Sequence, residues 1–157
     1  MILDGLLSFN AVGTPQAITV TAPSDNVLDM KNGRDMGIGD NPALKLAIYV
    51  TESLLGNAGT LQIQVQAAPD NGSGSPGSYV TLAESRAYAI ADLTQGVKLF
   101  PIDLPHRDPS QLASFPRFYR LNYVVGAGPF TSGSVNAKLV LDRQDSAQYP
   151  AGQTVQN

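Results

Sequence analysis

From Pro116 to Asp142 the chain reads PRFYRLNYVVGAGPFTSGSVNAKLVLD, and apolar and polar positions alternate along it. Tyr119, Leu121, Tyr123 and Val125 fall on one side, with Phe118, Arg120, Asn122 and Val124 on the other. After the interruption, Val135, Ala137, Leu139 and Leu141 oppose Ser134, Asn136, Lys138 and Val140. Side chains of a strand alternate faces, so this rhythm predicts two long β-strands, each with one buried face. Gly126, Gly128, Pro129 and Gly133 supply turn chemistry, and the segment reads as a strand pair joined by a turn.

The same period recurs upstream. Leu44–Thr51 sets Leu44, Leu46, Ile48 and Val50 against Lys45, Ala47, Tyr49 and Thr51. Thr60–Ala67 sets Leu61, Ile63, Val65 and Ala67 against a row of Gln62, Gln64 and Gln66, which predicts a solvated or lightly contacted sheet face. Ala17–Ala22 is β-rich, with Ile18 and Val20 expected on one face, and Val27–Met30 resumes a strand after the turn formers Pro23–Asn26. Tyr79–Glu84 is a further short strand, and Arg86–Leu93 fits a strand or a short helix. Val97–Leu104 carries Pro101, which removes a ladder donor and predicts an edge or a bulge. Lys31–Pro42, Pro69–Ser78 and Pro105–Pro116 are rich in glycine, proline or polar residues and read as loops, the second of them flexible.

About eight strands without a long helix predict an all-β fold. Strands of this number with long loops favour a jelly-roll-like antiparallel β-sandwich over an immunoglobulin-like one. The expected organisation is a single domain, residues 1–157, with an N-terminal arm over 1–13 that either tucks against its own core or reaches a neighbour, the sandwich over 14–142 and a polar tail over 143–157.

Composition narrows the function. The net charge is −3 and charged residues make up 15% of the chain, which argues against electrostatic capture of nucleic acid by a basic face. No apolar run reaches the ~20 residues needed to span a bilayer, and the N-terminus lacks the basic start of a signal peptide. With no cysteine and one histidine, His106, a His-rich transition-metal site within one chain is excluded, and no metal or cofactor is expected. His106-Arg107-Asp108 copies the start of a kinase catalytic loop without its other parts. The glycine-rich stretch after Lys31 lacks the Lys-Ser/Thr ending and the following helix of a phosphate loop. The Asp and Asn of Pro69–Ser78 do not match a calcium loop. Tyr49, Tyr79, Tyr88, Tyr119 and Tyr123 lie on β-rich segments, where tyrosines can form a sugar platform. No catalytic constellation emerges, and the protein is not expected to be an enzyme.

MILDGLLSF, QAITVTAPSDNVLDM, GRDMGIGD, TLQIQVQAAPDN, FYRLNYVV and SGSVNAKLVLD occur in this order between Met1 and Asp142. This ordered series resembles the small jelly-roll capsid cement, or decoration, proteins of tailed bacteriophages. The resemblance implies a structural protein on the outer surface of the virion. Its partner would be the major capsid protein, which it would bind across subunit junctions to stabilise the shell against packaged DNA. Self-association is expected, a homodimer ahead of a trimer. The expected contacts are the apolar arm, Ile2, Leu3, Leu6, Leu7 and Phe9, together with Arg34 and Asp35 of the long loop. The alternative is a carbohydrate-binding β-sandwich module of a phage fibre or a secreted protein.

Overall fold

A computed structural model describes residues 7–11, 13–30, 44–104 and 116–140. Its strands are β1 (Gln16–Ala17), β2 (Ala22–Pro23), β3 (Leu28–Asp29), β4 (Lys45–Leu55), β5 (Thr60–Ala68), β6 (Val80–Glu84), β7 (Tyr88–Ala89), β8 (Lys98–Leu99), β9 (Phe118–Gly126) and β10 (Ser132–Val140). One 3₁₀ turn, Ile90–Asp92, follows β7, so the ambiguous stretch after Arg86 holds both a strand and a helical turn.

All the strand pairs are antiparallel, and they form two sheets. One runs β1-β10-β4-β8 and the other β2-β9-β5-β6, with β3 against β9 and β7 against β5. This interleaving of early and late strands is a jelly roll. The chain passes between the sheets from β1 to β2, from β3 to β4, from β4 to β5, from β7 to β8, from β8 to β9 and from β9 to β10. β8 is an edge strand, which is where Pro101 just beyond it is tolerated.

The predicted inner faces meet in the middle. Leu61, Ile63, Val65, Leu121 and Tyr123 of one sheet and Leu46, Ile48, Val50, Val135, Ala137 and Leu139 of the other are buried and belong to one core.

Three expectations need correction. β9 and β10 do not pair with each other. β9 is bonded by β5 on one side and by β2 and β3 on the other, while β10 lies between β1 and β4. Neither has a free edge for a hairpin, and the link between them crosses the sandwich, with buried Phe130 in it. Ala17–Ala22 is likewise no single strand. Its ends belong to different sheets, so Ile18 is buried while Val20 is 57% exposed. The Gln62, Gln64 and Gln66 row is not simply wet. Opposite Val124, Asn122 and Arg120 of β9, it forms a half-buried ladder. Asn122 Nδ2 donates to Gln64 Oε1 at 2.9 Å, and Arg120 Nε donates to Gln66 Oε1 at 2.8 Å.

Where it is described, the N-terminal arm takes the tucked one of its two expected placements. Phe9 is fully buried in the core, and its backbone N–H donates to Ala137 O at 3.0 Å. Ser8 bridges Lys138, so this segment runs beside β10 as the sheet edge. Asn10 completes that edge. Its Nδ2 donates to Val135 O at 3.1 Å and its Oδ1 accepts from Ala137 N–H, so a side-chain amide stands in for a neighbouring strand.

Candidate functional site

The jelly roll has two unlike ends. At one end the crossings are short: Ile18–Thr21, Gly56–Gly59 and Ala127–Thr131. They are laced together by backbone bonds from Phe130 N–H to Thr19 O at 2.9 Å and from Thr131 N–H to Leu55 O at 2.7 Å. Val20, Val125 and Pro129 line a shallow apolar groove there.

At the other end the connections are long. Met30 N–H donates to Arg117 O at 2.8 Å, and Leu104 N–H donates to Leu44 O at 2.8 Å. Val140 pairs with Lys45, which also bridges Asp103, and Ser8 bridges Lys138. The described residues that flank 1–6, 31–43, 105–115 and 141–157 are therefore gathered at this end.

Arg117 is its organising side chain. Its Nε and Nη2 donate to Asp29 Oδ1 at 2.7 Å and Oδ2 at 2.9 Å, a two-pronged pair with the end of β3. Its Nη1 donates to Asp70 Oδ2 in the β5–β6 loop. Its own N–H bonds Ala68 O at 3.0 Å, and its guanidinium lies 4.9 Å from the Phe118 ring centroid. The hydrogen bonds from Arg117 to Asp29, ahead of its contacts with Asp70, hold the guanidinium in its charged form more firmly than usual. Partial desolvation works to raise the pKa of Asp70. The Gly72 and Gly74 amides and Arg117 together outweigh it, so this carboxyl titrates below its ordinary 3.8.

The β5–β6 loop is built, although its composition predicts flexibility. Asp70 bridges Pro76, Asn71 N–H bonds Ser75 O at 2.9 Å, and Gly77 N–H bonds Pro69 O at 2.8 Å. Asp70 Oδ1 accepts from Gly72 N–H at 2.8 Å and from Gly74 N–H at 3.0 Å. Gly72 (φ +90°) and Gly74 (φ +80°) take backbone conformations that side chains resist.

The residues expected to touch a partner fall into two groups. Ile2, Leu3, Leu6, Arg34 and Asp35 lie outside the described residues, as do His106 and the polar tail. Leu7 is half-buried and packs on the core. Phe9 serves its own core and is not free for a partner, because the sandwich needs it beneath the sheet edge. Sequence reasoning missed Arg117, Asp29 and Asp70. Each reads as an ordinary surface charge, and nothing in local spacing marks three residues that meet only after folding.

The described tyrosines differ in what covers their rings. Tyr119 and Tyr123 are buried, and burial pushes both hydroxyls up from the ordinary phenol value. Arg120 stacks on Tyr79 at 3.6 Å and Arg86 on Tyr88 at 4.6 Å from the ring centroids, so a guanidinium occupies a face of each. Lys98 approaches Tyr49 at 5.9 Å. Among the described residues no group of three or more His, Cys, Asp or Glu is placed to hold a metal ion. No helix there is long and apolar enough to cross a membrane.

Comparison with curated proteins gives no match. The Bbp16 family model matches residues 12–139, which takes in the sandwich from before β1 nearly to the end of β10. By this match the chain belongs to the Bbp16 family.

Proposed function

We propose that this protein is a capsid cement protein. It would bind the outside of an icosahedral phage head across junctions of the major capsid protein and brace the shell against the pressure of packaged DNA. The observation that carries this reading is the gathering of flanks at one end of the jelly roll. The arm segment before Leu7 and the loop bearing Arg34 and Asp35 both start from that end, beside the Arg117 cluster. The ordered sequence resemblance to cement proteins supports the same role.

A sandwich that closes its apolar surface internally has little rigid surface left for adhesion. Ile2, Leu3 and Leu6 are the apolar side chains of the arm outside the described core, and burial in a shell groove is worth ~1.5–3 kcal/mol each before ordering costs. Exposed pairs made by Arg34 and Asp35 would add only ~0–1 kcal/mol each. A homodimer, or a trimer as the alternative, would multiply these contacts by avidity. The glycan-binding alternative loses ground because Arg120 and Arg86 cover ring faces of Tyr79 and Tyr88.

The test is co-sedimentation with capsids that lack the protein, using the full chain and a variant without Met1–Leu6. The full chain is expected to decorate capsids in high salt. The truncated chain is expected to fold, because Phe9 stays in place, and to wash off. Absence of capsid binding by the full chain, with specific retention on a glycan array, would replace this reading by the carbohydrate-binding one.

A further inference from the structure

We propose that the Asn71–Gly72 step of the β5–β6 loop is a site of slow spontaneous modification, and that Asp70 guards it by holding the Gly72 amide. The chemistry is conversion of Asn71 to aspartate or isoaspartate with release of ammonia. This inference stands apart from the cement reading and does not depend on it.

The reactants are neighbours in the chain. Gly72 has no side chain to shield its amide nitrogen, and Asn71 before it carries the carboxamide that this nitrogen can attack. Both residues are exposed, so water and base reach them. Base takes the Gly72 amide proton, and the nitrogen forms a bond to Asn71 Cγ. The bond from Cγ to the side-chain nitrogen breaks, that nitrogen takes up a proton and leaves as ammonia, and a cyclic imide remains. Water then adds to one of the two imide carbonyls and opens the ring. One water enters and one ammonia departs, with no oxidant or reductant.

The folded loop hinders the first of these events. Gly72 N–H donates to Asp70 Oδ1 at 2.8 Å, and Gly74 N–H joins it there at 3.0 Å. An amide that faces a carboxylate gives up its proton reluctantly, because a second negative charge would form beside the first. Asp70 keeps its charge, since the two glycine amides and Arg117 hold its carboxyl below its ordinary value. Its Oδ2 accepts from Arg117, which is bonded in turn to Asp29 at 2.7 Å and by its own N–H to Ala68 at 3.0 Å. The guard is therefore tied to the sandwich and does not depend on the loop alone.

Asn71 itself pulls the other way. Its Oδ1 accepts from Ser73 N–H at 2.9 Å and from Ser73 Oγ at 2.6 Å, and such bonds polarise the carboxamide carbon towards attack. The guard prevails because its bond is to a charge, which makes it roughly twice as strong as a neutral one. The Ser73 bonds also restrain the carboxamide, and Asn71 N–H to Ser75 O at 2.9 Å restrains the backbone, so the segment moves less freely than in an open chain. Either product would undo this arrangement. Aspartate adds a carboxylate beside Asp70, and isoaspartate lengthens the backbone at position 71.

The test follows loss of Asn71 in mildly alkaline buffer by peptide mapping with isoaspartate detection, read separately from the chain's other Asn-Gly step at Asn32. The full chain is compared with Asp70→Ala, Asp70→Asn and Leu121→Ala, and a synthetic peptide of residues 69–77 gives the unguarded rate. Wild type is expected to lose Asn71 at least about tenfold more slowly than the peptide. Asp70→Ala is expected to close most of that gap, and Asp70→Asn, which keeps an acceptor oxygen without the charge, to fall between. Leu121→Ala weakens the body far from the loop and is expected to stay near wild type. A wild-type rate equal to that of the peptide would overturn the protection. Equal rates in wild type and both Asp70 variants would overturn the role of Asp70, as would an acceleration in Leu121→Ala as large as that in Asp70→Ala, because opening of the whole fold would then control the reaction.

Discussion

The two ends of the jelly roll are closed by different physics. The short-turn end relies on close approach. Gly133 (φ +126°) lies so near the facing strand that a Cβ there would stand 2.6 Å from Leu54 Cα. Backbone bonds among residues 18–19, 55 and 130–133 leave little room for adjustment. The long-connection end relies on charge. Arg117 draws together Asp29 and Asp70, which adds to the backbone bonds there a cluster that responds to pH through Asp70. Backbone packing tolerates no added atom, whereas an ion cluster weakens as its carboxylates are protonated.

Changes at the middle and at each end should separate these regimes. In the body, Leu121→Ala in one sheet and Leu139→Ala in the other should each cost ~2–5 kcal/mol in denaturant melts, since both side chains are fully buried. At the short-turn end, Gly133→Ala should cost about 1–3 kcal/mol through overpacking, with no dependence on salt. A salt-sensitive or negligible effect would erase the distinction between the ends. At the long-connection end the expected signal is smaller and shaped by pH. Asp70 has a depressed pKa in the folded chain, so its contribution is present above 3.8 and lost as pH falls below that value through the folded pKa. The stability difference between wild type and Asp70→Asn should therefore close on acidification, while the Gly133→Ala difference stays constant. Parallel pH curves for wild type and Asp70→Asn would show that the clamp contributes nothing to folding.

The faces of strands were legible in the sequence because alternation is a local property. Leu121 and Leu139, or Ile63 and Ile48, point where the two-residue rhythm puts them. Partnership was not legible, because it is set by residues far along the chain. β9 and β10 looked like a hairpin because they are neighbours in sequence, yet each is saturated by strands made much earlier. Phe9 looked like part of a free arm because no alternating pattern surrounds it, and its burial depends on Ala137. Asn10 carries no motif at all. Its role exists only because β10 has a gap between Ser8 and Gln16 that an amide can fill. Of the expected contact residues, Ile2, Leu3, Leu6, Arg34 and Asp35 lie outside the described residues, so only the place where their segments join the body can be compared with expectation.

The interleaved sheet order also dictates when this chain can fold on the ribosome. Ser8, Gln16 and Ala17 pair with residues of β10, while β2 and β3 pair with β9. Everything from Ser8 to Asp29 therefore lacks its native strand partners until Phe118 and its successors have been synthesised. Such non-local pairing places folding in the range of ~milliseconds to seconds, after β9 and β10 have been synthesised. During that interval Phe9 and Ile18 remain available to chaperones. A chain cut short before β10 would lack the backbone partners of both, Ala137 O for Phe9 and Gly133 O for Ile18.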